Sequence, residues 1–113
     1  MKYQYTKGES KSGVEIKLDR RFKDTGNLYI EYGEKRPEAI NFMPSGIERN
    51  DNSWLYCIGN YEILYILSKK WLKELREDTE SELRHITTAT SKGFLLPKYL
   101  ADEKAVNIIR DEV

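Results

Sequence analysis

Residues 14–35 read VEIKLDRRFKDTGNLYIEYGEK, and this stretch decides which fold the chain is predicted to adopt. Apolar and charged side chains alternate over residues 14–19, as is typical of a strand with one apolar and one charged face. After the turn residues 24–27, DTGN, the alternation resumes with Leu28 and Ile30 on a common face. We therefore expect two strands that pair as a β-hairpin around a short glycine-containing turn.

The predicted hairpin brings charged side chains together on one face. With the turn centred on Thr25, Asp19 lies opposite Glu31 and Lys17 lies opposite Gly33. Two carboxylates and a lysine on a two-stranded ribbon are the groups that metal-dependent hydrolysis of a phosphodiester requires. Charged faces of exposed hairpins are also common in proteins without an active site, so the pattern alone leaves a solvated surface as the alternative.

In the catalytic interpretation, Asp19 and Glu31 are the metal ligands. Mg²⁺ or Mn²⁺ takes hard oxygen ligands, usually one or two carboxylates together with water and phosphate oxygens. Lys17 is the first candidate for stabilising charge on the phosphate, because Gly33 opposite it leaves space, and Lys35 is the second candidate. Glu15 shares the face as a further ligand or as the partner of Lys35.

The composition limits the kinds of partner that the chain attracts. The 113 residues are expected to form a single domain, 1–113, and the formal net charge is zero. Binding of DNA would therefore depend on a local patch rather than on the field of the whole molecule. The predicted nucleic-acid contacts are Arg20, Arg21, Lys23, Tyr29 and Lys92.

Cysteine and hydropathy exclude two further classes of protein. Cys57 is the single cysteine of the 113 residues, which excludes an internal disulfide and a cysteine-built metal site, and we expect it in the core. No apolar stretch is long enough to cross a membrane, so we expect an intracellular protein, in the host cytoplasm if the chain is viral.

The remaining patterns predict an α+β fold. Residues 53–58 and 61–67 are apolar at nearly every position, so we expect two central strands, joined by a turn at residues 59–60 and covered on both faces. Residues 69–77 have a helical apolar stripe, which we expect to continue or restart toward residues 83–86. We expect Trp54 and Trp71 in the core.

Short elements complete the prediction. We expect a brief strand within residues 2–6, an extended piece at residues 39–42 and a strand at residues 93–96 that Pro97 stops. A last helix is predicted to begin near Asp102 as N-cap, with its apolar residues inward, namely Ala105, Val106 and Ile109. These elements predict one mixed or antiparallel sheet flanked by two helices.

The order of several motifs points to a known family. They are EIKLD at 15–19, TGNLYIEY at 25–32, SGI at 45–47, WLY at 54–56 and SKGFLLP at 91–97. Over residues 13–100 this order resembles a group of small phage and archaeal-virus proteins in the PD-(D/E)XK, or restriction-endonuclease-like, nuclease superfamily. The resemblance implies a restriction-endonuclease-like sheet and a Mg²⁺- or Mn²⁺-dependent DNA endonuclease, encoded by a virus or mobile element, with Asp19 and Glu31 as ligands. For so small a nuclease we also expect a homodimer.

The chain departs from the superfamily pattern at three places, one of which is NSW at residues 52–54, where the resemblance implies an Asp-aromatic-Trp sequence. The superfamily's lysine follows the second acid by two positions, which here is Gly33, so Lys17 or Lys35 would have to replace it. The usual first helix with its acidic residue has no obvious counterpart, although Glu9 is a candidate for that acid. These departures leave open an alternative function, a catalytically inactive module of the same fold that binds nucleic acid or a host protein.

Overall fold

The computed structural model of this chain describes residues 8–9 and 14–111, in which nine strands, three α-helices and one 3₁₀ turn form. The strands are β1 (Gly8–Glu9), β2 (Val14–Leu18), β3 (Asn27–Glu34), β4 (Met43–Pro44), β5 (Leu55–Gly59), β6 (Ile63–Ser68), β7 (His85–Thr87), β8 (Ser91–Pro97) and β9 (Asn107–Arg110). The helices are α1 (Phe22–Thr25), α2 (Lys69–Glu77) and α3 (Lys98–Lys104), and the 3₁₀ turn is Gly46–Glu48.

The strands form two sheets rather than the single sheet expected from the sequence. A five-stranded sheet has the order β1-β2-β5-β6-β9, in which β2 and β5 are parallel and the other neighbours are antiparallel. A four-stranded antiparallel sheet has the order β4-β3-β8-β7. The α+β class is therefore confirmed in a single compact domain, whereas the restriction-endonuclease-like arrangement stays a prediction.

The predicted hairpin of β2 with β3 is wrong. β2 pairs with β5, from Val14 opposite Leu55 to Leu18 opposite Gly59, while β3 pairs with β8 in the other sheet. The turn between them contains α1 and ends at Gly26, whose φ of 72° is the left-handed conformation that glycine adopts readily. Alternation specifies the faces of a strand but not its partner, and this connection carries the chain from one sheet to the other.

The pair of central strands is confirmed. β5 and β6 are antiparallel neighbours inside the five-stranded sheet, and four successive residues of β5 are buried, which requires cover on both faces. Asn60 stabilises the turn between them, because its side-chain oxygen accepts hydrogen bonds from the backbone N–H groups of Glu62 and Ile63. Cys57 is buried in β5, as expected.

Helix α2 covers the predicted residues, Lys69–Glu77, and begins where Ser68 accepts a hydrogen bond from the backbone N–H of Trp71. Trp71 is partly buried against the core. The core position predicted for Trp54 is wrong, because 66% of this residue is exposed. The predicted continuation toward residue 86 is also wrong, since residues 78–84 form no helix and β7 follows.

The C-terminal prediction is also wrong in its position and in its last element. α3 begins at Lys98, four residues before the predicted N-cap, so Asp102 lies inside the helix. Of the apolar residues expected on the inner face of a helix, Ile109 lies in strand β9, which pairs with β6 at the edge of the five-stranded sheet, and Val106 is exposed. Strand β9 supplies hydrogen-bond partners for the backbone of β6, which would otherwise be an unpaired edge of the sheet. Short-range sequence patterns do not reveal such a pairing. The strand predicted within residues 2–6 lies outside the described residues.

The core lies between the two sheets. One cluster joins Leu28, Ile30, Phe94 and Leu96 of the four-stranded sheet to buried residues of the five-stranded sheet, namely Tyr56, Ile58, Tyr65 and Leu67. The opposite face of the four-stranded sheet, which carries Tyr29, Glu31 and Ser91, is called the outer face below. Among the described residues no helix is long and apolar enough to cross a membrane.

Candidate functional site

Asp19 is a structural tie between the two sheets. It follows β2, and its Oδ1 accepts hydrogen bonds from the backbone N–H groups of Arg21 (3.0 Å) and Phe22 (3.1 Å) at the start of α1. Its Oδ2 accepts a hydrogen bond of 2.8 Å from the backbone N–H of Tyr29, in the part of β3 that β4 does not cover. The carboxylate therefore fixes the chain where it leaves one sheet and enters the other.

Glu31 belongs to a short chain of hydroxyl groups on the outer face. Ser91 donates a hydrogen bond of 3.0 Å to Glu31 Oε1, and the Tyr29 hydroxyl lies 2.6 Å from the Ser91 oxygen. Burial raises the pKa of the Tyr29 hydroxyl; the hydrogen bond with Ser91 opposes that shift, and the Glu31 carboxylate adds to it. The ring of Tyr29 packs directly over Gly93, since a Cβ there would lie 2.5 Å from Tyr29 Cζ. The side chain of Tyr29, a predicted nucleic-acid contact, is thus fixed in place by its hydrogen bond with Ser91 and by packing on Gly93.

The two predicted metal ligands both lie at strand β3, but Asp19 contacts its backbone whereas the Glu31 side chain lies on the outer face. Asp19 reaches the β3 backbone two residues before Glu31, whereas the side chain of Glu31 bonds Ser91 on the outer face. A carboxylate offers about four acceptor positions, and three of those of Asp19 are used. Among the described residues no group of three or more His, Cys, Asp or Glu could hold a metal ion. No third such residue among those described completes a metal-binding group with Asp19 and Glu31, so a Mg²⁺ site at these two carboxylates stays a prediction.

The two predicted catalytic lysines lie apart. Lys17 pairs with Ile58 in the parallel ladder, so it lies on the core side of the five-stranded sheet and is partly buried. It does not lie opposite Gly33, because β3 is in the other sheet. Lys35 follows β3, where its ammonium group donates a hydrogen bond of 3.1 Å to the backbone oxygen of Ala39. The structure does not bring Lys17 and Lys35 together.

The residues of the predicted basic patch around α1 differ in their interactions. Arg20 and Arg21 are exposed in the turn before α1, and neither guanidinium has an ion-pair partner in the described part of the chain. Lys23 instead forms an exposed ion pair of 3.4 Å with Glu62. Arg20 and Arg21 remain available to a phosphate, whereas Lys23 is partly neutralised.

Lys35 and Lys92 converge on one aromatic ring, an arrangement named here the Phe42 cluster. The ammonium nitrogens of Lys35 and Lys92 lie 5.4 Å and 4.6 Å from the centroid of the Phe42 ring. Gly33 pairs with Lys92, and a Cβ at Gly33 would meet Lys92 Cβ at 3.5 Å and Phe42 Cβ at 3.8 Å. Gly33 therefore lies beside Lys92 and Phe42 of this cluster.

No carboxylate of the described residues forms an ion pair with the Phe42 cluster. Neither Lys35 nor Lys92 forms an ion pair within the described residues. Glu34 pairs with Ser91 and Met43, which places it on the opposite side of the strand from Lys92. The cluster is a local concentration of positive charge on a chain whose net charge is zero.

Sequence reasoning missed Phe42 and the surroundings of α2. Phe42 lies in an irregular segment with no periodicity, so no sequence pattern could have joined it both to Lys35, just after β3, and to Lys92 in the distant strand β8. Lys69 at the start of α2 forms a buried ion pair of 3.2 Å with Asp51, although the charged run around Lys69 is typical of a solvated face. The exposure of Trp54, in contrast to its neighbours in β5, also has no sequence signal.

Comparison of the chain with protein-family models, with curated proteins and with solved structures finds no match.

Proposed function

We propose that this protein binds nucleic acid through the phosphate backbone, and the observation that carries the proposal is the Phe42 cluster. Two ammonium groups meet at one ring with no carboxylate within ion-pair distance among the described residues. Each contact with the ring contributes about 0.5–1 kcal/mol at an exposed site. The ring does not neutralise either charge, so a phosphate that approaches both lysines gains attraction from each.

The exposed arginines extend this proposal. Arg20 and Arg21 lie beside Asp19, which bonds the backbone of Tyr29, whereas Lys35 follows the other end of β3. At roughly 3.3 Å per residue, the six residues from Tyr29 to Lys35 span about 20 Å. Contacts at both ends would require a ligand with several phosphates, which favours a polynucleotide over a mononucleotide.

The test is the salt dependence of binding to a fluorescently labelled DNA, measured by anisotropy in EDTA. For the double variant Lys35→Gln Lys92→Gln we expect weaker binding, with the slope of log affinity against log salt reduced by roughly two. Lys104→Gln is the matched control, because Lys104 is an exposed lysine outside the cluster. Equal affinities and slopes for the double variant and the native chain would refute the role of the cluster. Binding to the labelled DNA that does not depend on salt would exclude recognition through the phosphates.

The second candidate function is a metal-dependent DNA endonuclease that uses Asp19, Glu31 and Lys17. The observation that favours it is the hydrogen bond of 2.8 Å from the Tyr29 N–H to Asp19, which brings a second carboxylate to the strand that holds Glu31. Glu31 Oε2 has no hydrogen-bond partner among the described residues. Against this candidate stand the three backbone bonds of Asp19 and the position of Glu31 on the outer face.

Cleavage assays separate the two candidates. Linear, single-stranded and branched DNA are incubated with Mg²⁺, with Mn²⁺ and with EDTA, beside the variant Glu31→Gln. This change keeps an acceptor for Ser91 and removes the charge, so it tests catalysis more cleanly than a change of Asp19, which also removes a structural tie. Metal-dependent cleavage that Glu31→Gln abolishes would establish the nuclease; binding without turnover supports the binding module.

The predicted homodimer is part of the same proposal. Cleavage of two strands or of a branched DNA would require two sites, whereas a binding module functions as one chain. Light scattering at the concentration used for binding measures the mass directly. A mass of about 13.3 kDa, that of one chain, would count against the dimer.

A further inference from the structure

Trp54 lies in solvent beside the first turn of α2. It precedes β5, and its backbone oxygen accepts a hydrogen bond of 3.1 Å from the N–H of Lys69. The ring is nevertheless not packed into the core, since 66% of the residue is exposed. Burying a tryptophan normally contributes a large share of the stability of a small domain, so an exposed one beside a fixed backbone contact lacks a structural reason.

An open cleft of about 680 Å³ separates this tryptophan from α2. Lys70, Lys73, Glu74 and Glu77 of α2 line it together with Trp54. Neither Lys70 nor Lys73 forms an ion pair in the described part of the chain. The cleft therefore combines an exposed aromatic ring with two lysines and two glutamates, of which Lys70 is nearest the start of α2 and Glu77 is its last residue.

The charge order along α2 opposes helix stability. Helices are stabilised by acidic residues in the first turn and by basic residues in the last, each contributing about 0.3–1 kcal/mol. The first turn of α2 has no acidic residue and instead contains Lys69 and Lys70. Lys69 is compensated by its buried ion pair with Asp51, whereas Lys70 is exposed and forms no ion pair with another described residue. A bound anion at this end would compensate Lys70.

We infer that this cleft binds single-stranded nucleic acid, with a base stacked on Trp54 and the adjoining phosphate at Lys70 and Lys73. The inference rests on the proposed function and names the substrate form. Bases in a duplex are already stacked on each other, so their faces are not available to a side chain, whereas an unpaired base can stack on tryptophan. The carboxylate of Glu77, the last residue of α2, repels a phosphate at the helix end, which orients the strand toward Lys70.

The two tryptophans of the chain make the test direct. The variant Trp71→Phe leaves Trp54 as the fluorophore, and it is titrated with a thymidine oligonucleotide and with a duplex of equal length. We expect quenching of Trp54 fluorescence by the single strand and little by the duplex. Binding of the labelled single strand should weaken roughly 5- to 100-fold in Trp54→Ala, which corresponds to the loss of one stacked base.

Tyr99→Ala is the matched control, because Tyr99 is 68% exposed on α3, away from the cleft, and its loss should leave affinity unchanged. Lys70→Gln Lys73→Gln should reduce the salt slope of single-strand binding. If the labelled oligonucleotide binds while Trp54 fluorescence and the Trp54→Ala affinity do not change, the inference is overturned and the proposed function stands. If no nucleic acid binds by anisotropy, both fail.

Discussion

Asp19 is predicted to contribute more to folding than any catalytic interpretation of it implies. Replacing Asp19 with alanine removes the acceptor for three backbone N–H groups, at 2.8, 3.0 and 3.1 Å. Two of these groups are in the first turn of α1, where the loss of a capping side chain costs about 0.5–2 kcal/mol. The third is the Tyr29 N–H at the strand edge, and leaving a partly buried donor unpaired costs about 1–3 kcal/mol.

We therefore expect Asp19→Ala to lower the free energy of unfolding by about 2–4 kcal/mol. In a domain of this size each kcal/mol lowers Tm by roughly 3–6 °C. Asp19→Asn should cost about half as much, because its side-chain oxygen can still accept from Arg21 and Phe22 while its amide opposes the Tyr29 N–H.

The assay is urea denaturation followed by tryptophan fluorescence, with thermal unfolding as a second probe. Asp24→Ala is the control, since Asp24 is an exposed acid in the same turn whose carboxylate has no partner among the described residues. It should remain within about 0.5 kcal/mol of the native chain. If Asp19→Ala were no more destabilising than Asp24→Ala, the assignment of Asp19 as a tie between the sheets would be refuted.

Three further predictions concern packing and pH. Gly93→Ala should lower the free energy of unfolding by about 1–3 kcal/mol, because the new Cβ would lie 2.5 Å from Tyr29 Cζ. Gly33→Ala is the control and should be nearly neutral, since the atom nearest to its Cβ would lie at 3.5 Å. Equal losses of stability for the two variants in denaturation would contradict this packing. Burial alone would raise the pKa of Asp51, but hydrogen bonds from the Ser53 N–H and Lys69 lower it below its ordinary value of 3.8. The free energy of unfolding should therefore fall as the pH drops below about 4. In denaturation measured from pH 3 to pH 7, Asp51→Asn should remove that part of the pH dependence. Burial raises the pKa of Cys57 from 9.0 to about 11. The stability that the neutral thiol contributes is therefore complete below pH 9 and is lost as the pH rises through about 11, and Cys57→Ala should reduce this alkaline loss. Equal rates of modification by a thiol reagent in the native and the unfolded chain would contradict the burial.

Local patterns in the sequence were sufficient for elements that neighbouring residues stabilise. α2 has an N-cap, Ser68, and an apolar stripe within nine residues, so its bounds follow from the sequence. Strands β5 and β6 are joined by a turn that the Asn60 side chain stabilises, so residues close in the sequence also determine this strand pairing.

Only the tertiary structure decided which strands pair and which side chains meet. β2 joins β5, about forty residues away, and β3 joins β8 from Asn27 opposite Pro97 onward, because pairing depends on which edges the whole chain can bury together. The sequence by itself therefore determined the α+β class, the central strand pair, α2 and the candidate charges, whereas the tertiary structure separated Asp19 from the face of Glu31. It also joined Lys35 to Lys92 at Phe42, since contacts across distant segments leave no periodic signal in a single sequence.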